Sequence, residues 1–346
     1  MVYTPFHGAG WRLVPEALAR LGFTKILCEP AQMERDGDFP TVASPNPENK
    51  EGFAQAIELA RQNGAELIIG TDPDADRVGI VLRDGAGDYV TLSGNQVGVL
   101  LTDYLLRARK AAGTLPARPA VVTTIVSTPM ARAVAERHGA AVYETFTGFR
   151  FIAEVIGRLE RAGEAQFLLG FEESYGYLAG DYARDKDAVT AAMLIAEMAA
   201  WHAEQGRTLY DAMQALYATY GHYREVTLNL VMPGVDGLAH MKALMADLRR
   251  EPPVALGGLP VVAVRDYLAG TRADGLTGRT ESMSLKGSDV LSFELADGTR
   301  VLARPSGTEP KIKIYLLTRG ETPAEAERTV EALSNWAEAL PERQGN

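Results

Sequence analysis

The stretch Leu67-Ile68-Ile69-Gly70-Thr71-Asp72-Pro73-Asp74-Ala75-Asp76-Arg77-Val78-Gly79-Ile80-Val81 narrows the choice of fold more than any other part of this chain. An apolar run stops, passes three carboxylates at every second position and one arginine, and resumes, which reads as strand, loop and strand. In extended backbone alternate side chains point the same way, so Asp72, Asp74 and Asp76 converge while Pro73 and Ala75 face away. Three hard oxygen ligands so placed suit Mg²⁺ or another hard divalent cation. Without a cation or a proton they would repel one another. An EF-hand is excluded, because a loop starting at Asp72 needs Gly at its sixth position and Glu at its twelfth and has Arg77 and Arg83. The bland alternative is a polar turn with its carboxylates in water.

Length and charge set the remaining bounds. A chain of 346 residues with 46% hydrophobic and 23% charged content is an ordinary globular protein with room for two or three domains. A net charge of −10 argues against general nucleic-acid affinity, so an anionic ligand must meet positive charge locally. No stretch approaches a membrane span: the richest apolar helix, Ala191 to Trp201, is interrupted by Glu197. Nothing at the N-terminus resembles a signal peptide. The one cysteine, Cys28, lies in an apolar run and reads as buried and inert. Together these features predict a cytoplasmic protein.

Strands alternate with helices through the first two thirds of the chain, which predicts βαβ units and two mainly parallel-sheet α/β domains. Helices are expected over Trp11–Leu21, Asn49–Asn63, Gln96–Ala112, Pro129–His138, Phe151–Ala162, Ala188–Gln205 and Leu209–Tyr220. Gln96–Ala112 carries an amphipathic pattern. His7-Gly8-Ala9-Gly10 permits a tight strand-to-helix turn, but no third Gly and no Gly-Lys-Ser/Thr follows, so neither a dinucleotide fingerprint nor a P-loop is supported. Glu29 to Glu48, proline-rich and without apolar periodicity, reads as a loop that leans on a neighbour. From Glu225 onward, grouped strands with helices over Gly237–Arg250 and Thr322–Leu340 predict a smaller α+β domain. The proline-bearing segment Gly113–Pro119 marks the first boundary, giving domains 1–113, 114–222 and 223–346.

Three further stretches carry chemistry. In Arg304-Pro305-Ser306-Gly307-Thr308-Glu309-Pro310-Lys311-Ile312-Lys313, Arg304 offers a planar fork to phosphate oxygens, Ser306 and Thr308 add hydroxyls, and Gly307 lets backbone N–H groups approach. A charged β-turn is the plainer reading. Glu172-Glu173-Ser174 follows an apolar strand at the carboxyl end where α/β sheets place ligands, and its acceptors suit sugar hydroxyls or form an ordinary polar loop. A nucleophile elbow would want Gly two residues before Ser174 and finds Glu172. Lys186, within Arg184-Asp185-Lys186-Asp187, reads either as a solvated helix start or as a proton donor, proton acceptor or point charge on phosphate.

In this order, and with the wording Gly-Phe-Glu-Glu-Ser-Tyr-Gly-Tyr and Arg-Asp-Lys-Asp-Ala, these motifs resemble the α-D-phosphohexomutase family, in its phosphoglucomutase/phosphopentomutase branch. The resemblance spans nearly the whole chain. It implies C1/C6 phosphoryl transfer on a phosphosugar such as glucose 1-phosphate or 6-phosphate, through a bisphosphorylated intermediate and with Mg²⁺. It assigns Asp72, Asp74 and Asp76 to the metal and Arg77 to the transferring phosphoryl. Gly148, Glu172 and Ser174 fall to the sugar, Arg304, Ser306, Gly307 and Thr308 to the non-reacting phosphate, and Lys186 to acid/base work at the reaction centre. The match is to domains two to four of the family. The phosphoserine stretch Thr-Ala-Ser-His-Asn-Pro has no counterpart here, since Thr41-Val42-Ala43-Ser44-Pro45-Asn46-Pro47 has Pro45 in place of the histidine. An incomplete or split mutase is therefore expected, inactive or weak alone, binding Mg²⁺ weakly and partnered by a separate phosphoserine-bearing domain. The alternatives are a non-catalytic phosphosugar-binding protein and a Mg²⁺-dependent sugar phosphatase.

Overall fold

The computed structural model describes residues 1–307 and 309–341. Two compact units divide the chain, Met1–Tyr220 and Gly221–Asn346. No helix among the described residues is long and apolar enough to cross a membrane.

The first unit opens with β1 (Val2–Thr4), α1 (Gly10–Arg20), β2 (Leu27–Cys28), α2 (Pro30–Met33), α3 (Ala54–Asn63), β3 (Leu67–Thr71), β4 (Val78–Arg83) and β5 (Tyr89–Leu92). These strands form a sheet of order β2-β1-β3-β4-β5, parallel from β2 to β3 and antiparallel beyond. Helix α3 ends where Gly64 turns left-handed at φ +63°, a conformation that glycine adopts without strain. Val2, Phe6, Phe53, Ile57, Ile68 and Val81 fill the core under this sheet, with Phe6 and Phe53 edge to face at 4.9 Å. The expected loop after β2 holds one helical turn, α2, capped by the Glu29 side chain.

The same unit continues with α4 (Gly94–Ala111), β6 (Pro119–Thr124), α5 (Pro129–Arg137), β7 (Ala141–Thr145), α6 (Phe149–Ala162), β8 (Gln166–Phe171), β9 (Tyr177–Ala179), α7 (Ala188–Ala203) and α8 (Leu209–Tyr220). Its sheet runs β7-β6-β8-β9, with only the β8–β9 pair antiparallel. Ser93 and Gln96 form a reciprocal capping box that starts α4. The amphipathic pattern expected for α4 understates its burial: from Gly94 to Leu106 every residue but Gln96 is buried. Neighbours on several sides explain this, since α5, α7 and α8 pack on it. A Cβ at Gly98 would lie 2.4 Å from the Phe171 ring.

The second unit comprises β10 (His222–Val231), α9 (Gly237–Arg250), β11 (Ala255–Leu256), β12 (Leu259–Asp266), β13 (Thr271–Asp274), β14 (Thr280–Ser282), β15 (Leu291–Leu295), β16 (Arg300–Pro305), β17 (Lys311–Gly320) and α10 (Pro323–Glu338). The antiparallel order β10-β17-β16-β15-β12-β13-β14 makes this unit α+β. Leu230, Met241, Leu244, Phe293, Ile314 and Leu333 join both helices and the sheet in one core. Strands β13 and β14 carry no apolar alternation, and Thr280, Glu281 and Ser282 are exposed. They form because β12 offers β13 an edge to pair with.

Candidate functional site

Hairpin β3–β4 carries the Asp loop. Strand β3 is buried along its whole length, so the loop leaves a fixed base. Asp72 is fully buried. Its Oδ1 accepts from the backbone N–H groups of Asp76 (3.1 Å) and Arg77 (2.9 Å), and its Oδ2 accepts from Arg77 Nε at 2.6 Å. Burial pushes the Asp72 carboxyl up to about 6, against the hydrogen bonds and charge of Arg77. The carboxylates meet through a turn rather than through strand alternation. Ala75 donates to the Asp72 carbonyl at 3.0 Å and adopts φ +58°, and one oxygen from each of Asp72, Asp74 and Asp76 lies within 4.8 Å of the others. Three carboxylate oxygens that close fit a hard divalent cation.

The Gly8/Gly10 pair serves this loop by packing. Ala9 N–H donates to the Pro73 carbonyl at 2.7 Å, and a Cβ at Gly8 would stand 2.4 Å from Pro73 Cα. At Gly10 it would stand 2.5 Å from the Tyr3 hydroxyl, which is hydrogen-bonded to Thr71 Oγ1 at 2.9 Å. His7 tethers the loop after β2: its ring nitrogens bond the Glu34 carbonyl and the Thr41 hydroxyl, both at 2.8 Å. Because that carbonyl can only accept, Nδ1 carries the proton.

The second loop closes over β8 and β9. Glu172 is buried and its Oε1 accepts from Gly148 N–H at 2.7 Å, where Gly148 has φ +118°. Burial raises the Glu172 carboxyl, opposed by the Gly148 N–H and by the charge of Lys186. The structure thus brings Gly148 and Glu172 together, and half-buried Ser174 lies on the same turn. Glu173 instead accepts from Thr124 Oγ1 at 3.1 Å.

Backbone joins the two loops. Val78 N–H donates to the Tyr175 carbonyl (3.1 Å), Arg77 bridges Gly176, and Ala188 N–H donates to the Ala75 carbonyl (3.2 Å). Across this seam Lys186 Nζ lies 2.6 Å from Asp76 Oδ2. Burial works against the Lys186 ammonium, but the hydrogen bond and charge of Asp76 outweigh it and raise its pKa. Its side chain is only 20% exposed, unlike a solvated helix start. That start belongs to Asp187, whose Oδ1 caps α7 by accepting from Val189 N–H at 2.8 Å. Gly176, which sequence reasoning passed over, leaves room for the Lys186 stem: a Cβ there would meet Lys186 Cδ at 2.6 Å. Its signal was a glycine between two tyrosines in a loop.

In the second unit Arg304 on β16 pairs across the sheet with Lys313 on β17, and its Nη1 is 3.4 Å from the Tyr315 hydroxyl. Ser306 N–H donates to the Lys311 carbonyl at 2.8 Å, and Ser306 Oγ accepts from Glu309 N–H at 3.3 Å. Lys311 Nζ rests on Glu309. Gly307 is exposed, and a Cβ there would meet nothing within 4 Å. The expected partner Thr308 lies outside the described residues.

Comparison with known proteins places the chain in a family. Residues 1–85 match the family model of phosphoglucomutase/phosphomannomutase alpha/beta/alpha domain II, residues 93–220 that of domain III, and residues 241–335 that of the C-terminal domain. The phosphoglucomutase of Staphylococcus epidermidis is 38% identical over 316 residues, covering 91% of this chain and 57% of the relative, so the chain spans little more than half the length of such relatives. Among solved structures, Paramecium pp63/parafusin in its open form superposes with a TM-score of 0.67 at 19% identity, over 99% of this chain and 57% of that one. An Aspergillus fumigatus N-acetylphosphoglucosamine mutase, solved with GlcNAc-6P and magnesium, gives 0.53 at 13% identity over 97% of this chain and 65% of that one. With consecutive family models matched from residue 1 to residue 335, this chain belongs to the phosphoglucomutase/phosphomannomutase family.

Proposed function

We propose that these residues form the metal-, sugar- and phosphate-holding parts of a phosphosugar mutase, acting in the cytoplasm on a glucose phosphate or a close relative. The observation that carries this reading is the meeting, within one unit, of three carboxylate oxygens inside 4.8 Å with Arg77, Lys186 and the Glu172 turn. Asp72, Asp74 and Asp76 are the residues to hold Mg²⁺. When bound, the ion supplies positive charge to phosphoryl oxygens during transfer. Arg77 presents a planar cation beside the same loop, and Lys186 is placed to hold or move a proton at a sugar hydroxyl. Glu172, with Gly148 and Ser174, offers acceptors to sugar hydroxyls, while Arg304, Ser306 and Gly307 take a phosphate group. The relatives' names support the substrate class: a phosphoglucomutase by sequence, and by fold a mutase solved with a sugar phosphate and magnesium.

In this reading the segments 1–113, 114–222 and 223–346 divide the metal, sugar and phosphate work, and a phosphoserine-bearing domain supplies the phosphoryl group. Glucose 1-phosphate, glucose 1,6-bisphosphate and Mg²⁺ in a coupled assay test it. Glucose 6-phosphate is expected only when a phosphoserine-bearing first domain from a related mutase is added. Full turnover by the 346 residues alone would overturn the divided arrangement, and release of inorganic phosphate instead would favour a phosphatase.

A further inference from the structure

The two ends of the Asp triad are compensated differently. Arg77 holds Asp72, which is fully buried and carries two backbone N–H donors as well, so that pair is part of the loop's framework. Asp76 is held by Lys186 at 2.6 Å and, more loosely, by Arg77 Nε at 3.8 Å, while Lys186 Nζ also lies 3.4 Å from Asp185 Oδ1; the Lys186 and Asp76 side chains are 20% and 29% exposed. The Lys186–Asp76 contact, between two half-buried side chains and without backbone donors, is the more easily exchanged of the two pairs. Asp74 is exposed and has no ion pair among the described residues. The Lys186 stem runs close over Gly176, in space that any Cβ at that position would take: 2.6 Å from Lys186 Cδ and 3.3 Å from its Cβ. The glycine therefore gives the lysine a track onto Asp76.

We infer that Lys186 is a tethered counter-cation of the Asp loop, guided by Gly176 onto Asp76 and displaced from it when a divalent metal binds. This rests on the metal reading of the loop given above. A metal held by the three carboxylates sets a second cation beside the ammonium on Asp76, and the two repel. Lys186 remains charged throughout and changes only its partner. Asp185, whose Oδ1 already lies 3.4 Å from Lys186 Nζ, is the partner at hand for the displaced ammonium. Metal loading and the repositioning of Lys186 are then one event, which makes Lys186 and Gly176 positioning residues of the metal site.

Mg²⁺ and Mn²⁺ binding by the full chain, read by calorimetry and by Mn²⁺ electron paramagnetic resonance, tests this without turnover. Lys186→Met is expected to bind Mn²⁺ about tenfold more tightly than the parent, because a competing cation is gone. Gly176→Ala shifts affinity the same way by less, and Lys186→Arg stays near the parent. Arg184→Gln is the control, since that cation is paired with Glu160 at 2.7 Å and its loss is expected to change affinity less than about twofold. In the parent, the Lys186 side-chain NMR signal, identified by its absence from Lys186→Met, moves on Mg²⁺ addition. Equal affinity of Lys186→Met and parent, or a Lys186 signal unmoved at saturating Mg²⁺, overturns the displacement while leaving the metal reading intact. No metal binding by the parent overturns both.

Discussion

The Asp loop and the Arg304 loop both gather charge, yet they are built in different ways. Around the Asp loop, backbone from three distant segments closes in: Ala9 on Pro73, Ala188 on Ala75 and Tyr175 on Val78. Asp72 is also locked, by three donors. The Arg304 loop is held by its two strands and by short-range bonds, Ser306 to Lys311 and Lys311 to Glu309, with one bond from a distant segment, Met232 N–H to the Pro310 carbonyl at 2.7 Å. Glycine makes the contrast visible. Gly8 is required because protein backbone occupies the space of its Cβ, whereas nothing within 4 Å demands glycine at 307. A loop that must hold like charges together needs a framework from outside. A loop whose like charges are spread along two strands needs less of one.

Removing a locked charge separates the loops most. Asp72→Ala strands the Arg77 guanidinium and two N–H groups, and about 3 kcal/mol of stability is expected to be lost in urea denaturation. Ser306→Ala in the other loop should stay within about 0.5 kcal/mol by the same measurement. A comparable loss from both would end the distinction. Next in size is the glycine pair. Gly8→Ala forces a Cβ into Pro73 and is expected to lower stability by about 2 kcal/mol, while Gly307→Ala leaves the melting temperature nearly unchanged and weakens phosphate binding. Smaller again, Arg304→Lys keeps the charge but loses the fork, so calorimetry with glucose 6-phosphate should show about tenfold weaker binding at unchanged stability.

The smallest effect distinguishes the two units by pH. His202, buried in α7, has no hydrogen-bond partner for either ring nitrogen among the described residues. Burial lowers its pKa, with Asp103 opposing and the Arg107 and Arg207 charges adding. A histidine held neutral by the fold contributes its full stability above the unfolded value of about 6.5 and loses it as pH falls below that value. His202 is therefore expected to weaken the first unit on mild acidification, while Asp72 and Glu172, whose carboxyls burial raises, act in the opposite sense. His202→Leu should flatten that slope in thermal melts followed from pH 8 to pH 5.5, and an unchanged slope would remove His202 from the account.

Much of this was readable along the chain. The βαβ alternation and the helix expected over Thr322–Leu340 rest on local periods and caps, and each is present, the latter as α10. The polar strands β13 and β14 were not readable, because their pairing comes from the edge of β12 rather than from their own residues. The residue types at the candidate site were legible for the same local reason: three aspartates, a fork-bearing arginine and an acceptor-rich turn announce their chemistry within a few positions. Their partners were not. That Gly8 and Gly10 support the Asp loop instead of cradling phosphate, that Glu172 holds Gly148, and that Lys186 rests on Asp76 all follow from contacts between residues far apart in the chain. Which chemical groups each of these loops carries is set by covalent neighbours and backbone period. Which cation meets which carboxylate is a matter of packing, because charge and close contact depend on distance in space and are indifferent to distance along the chain.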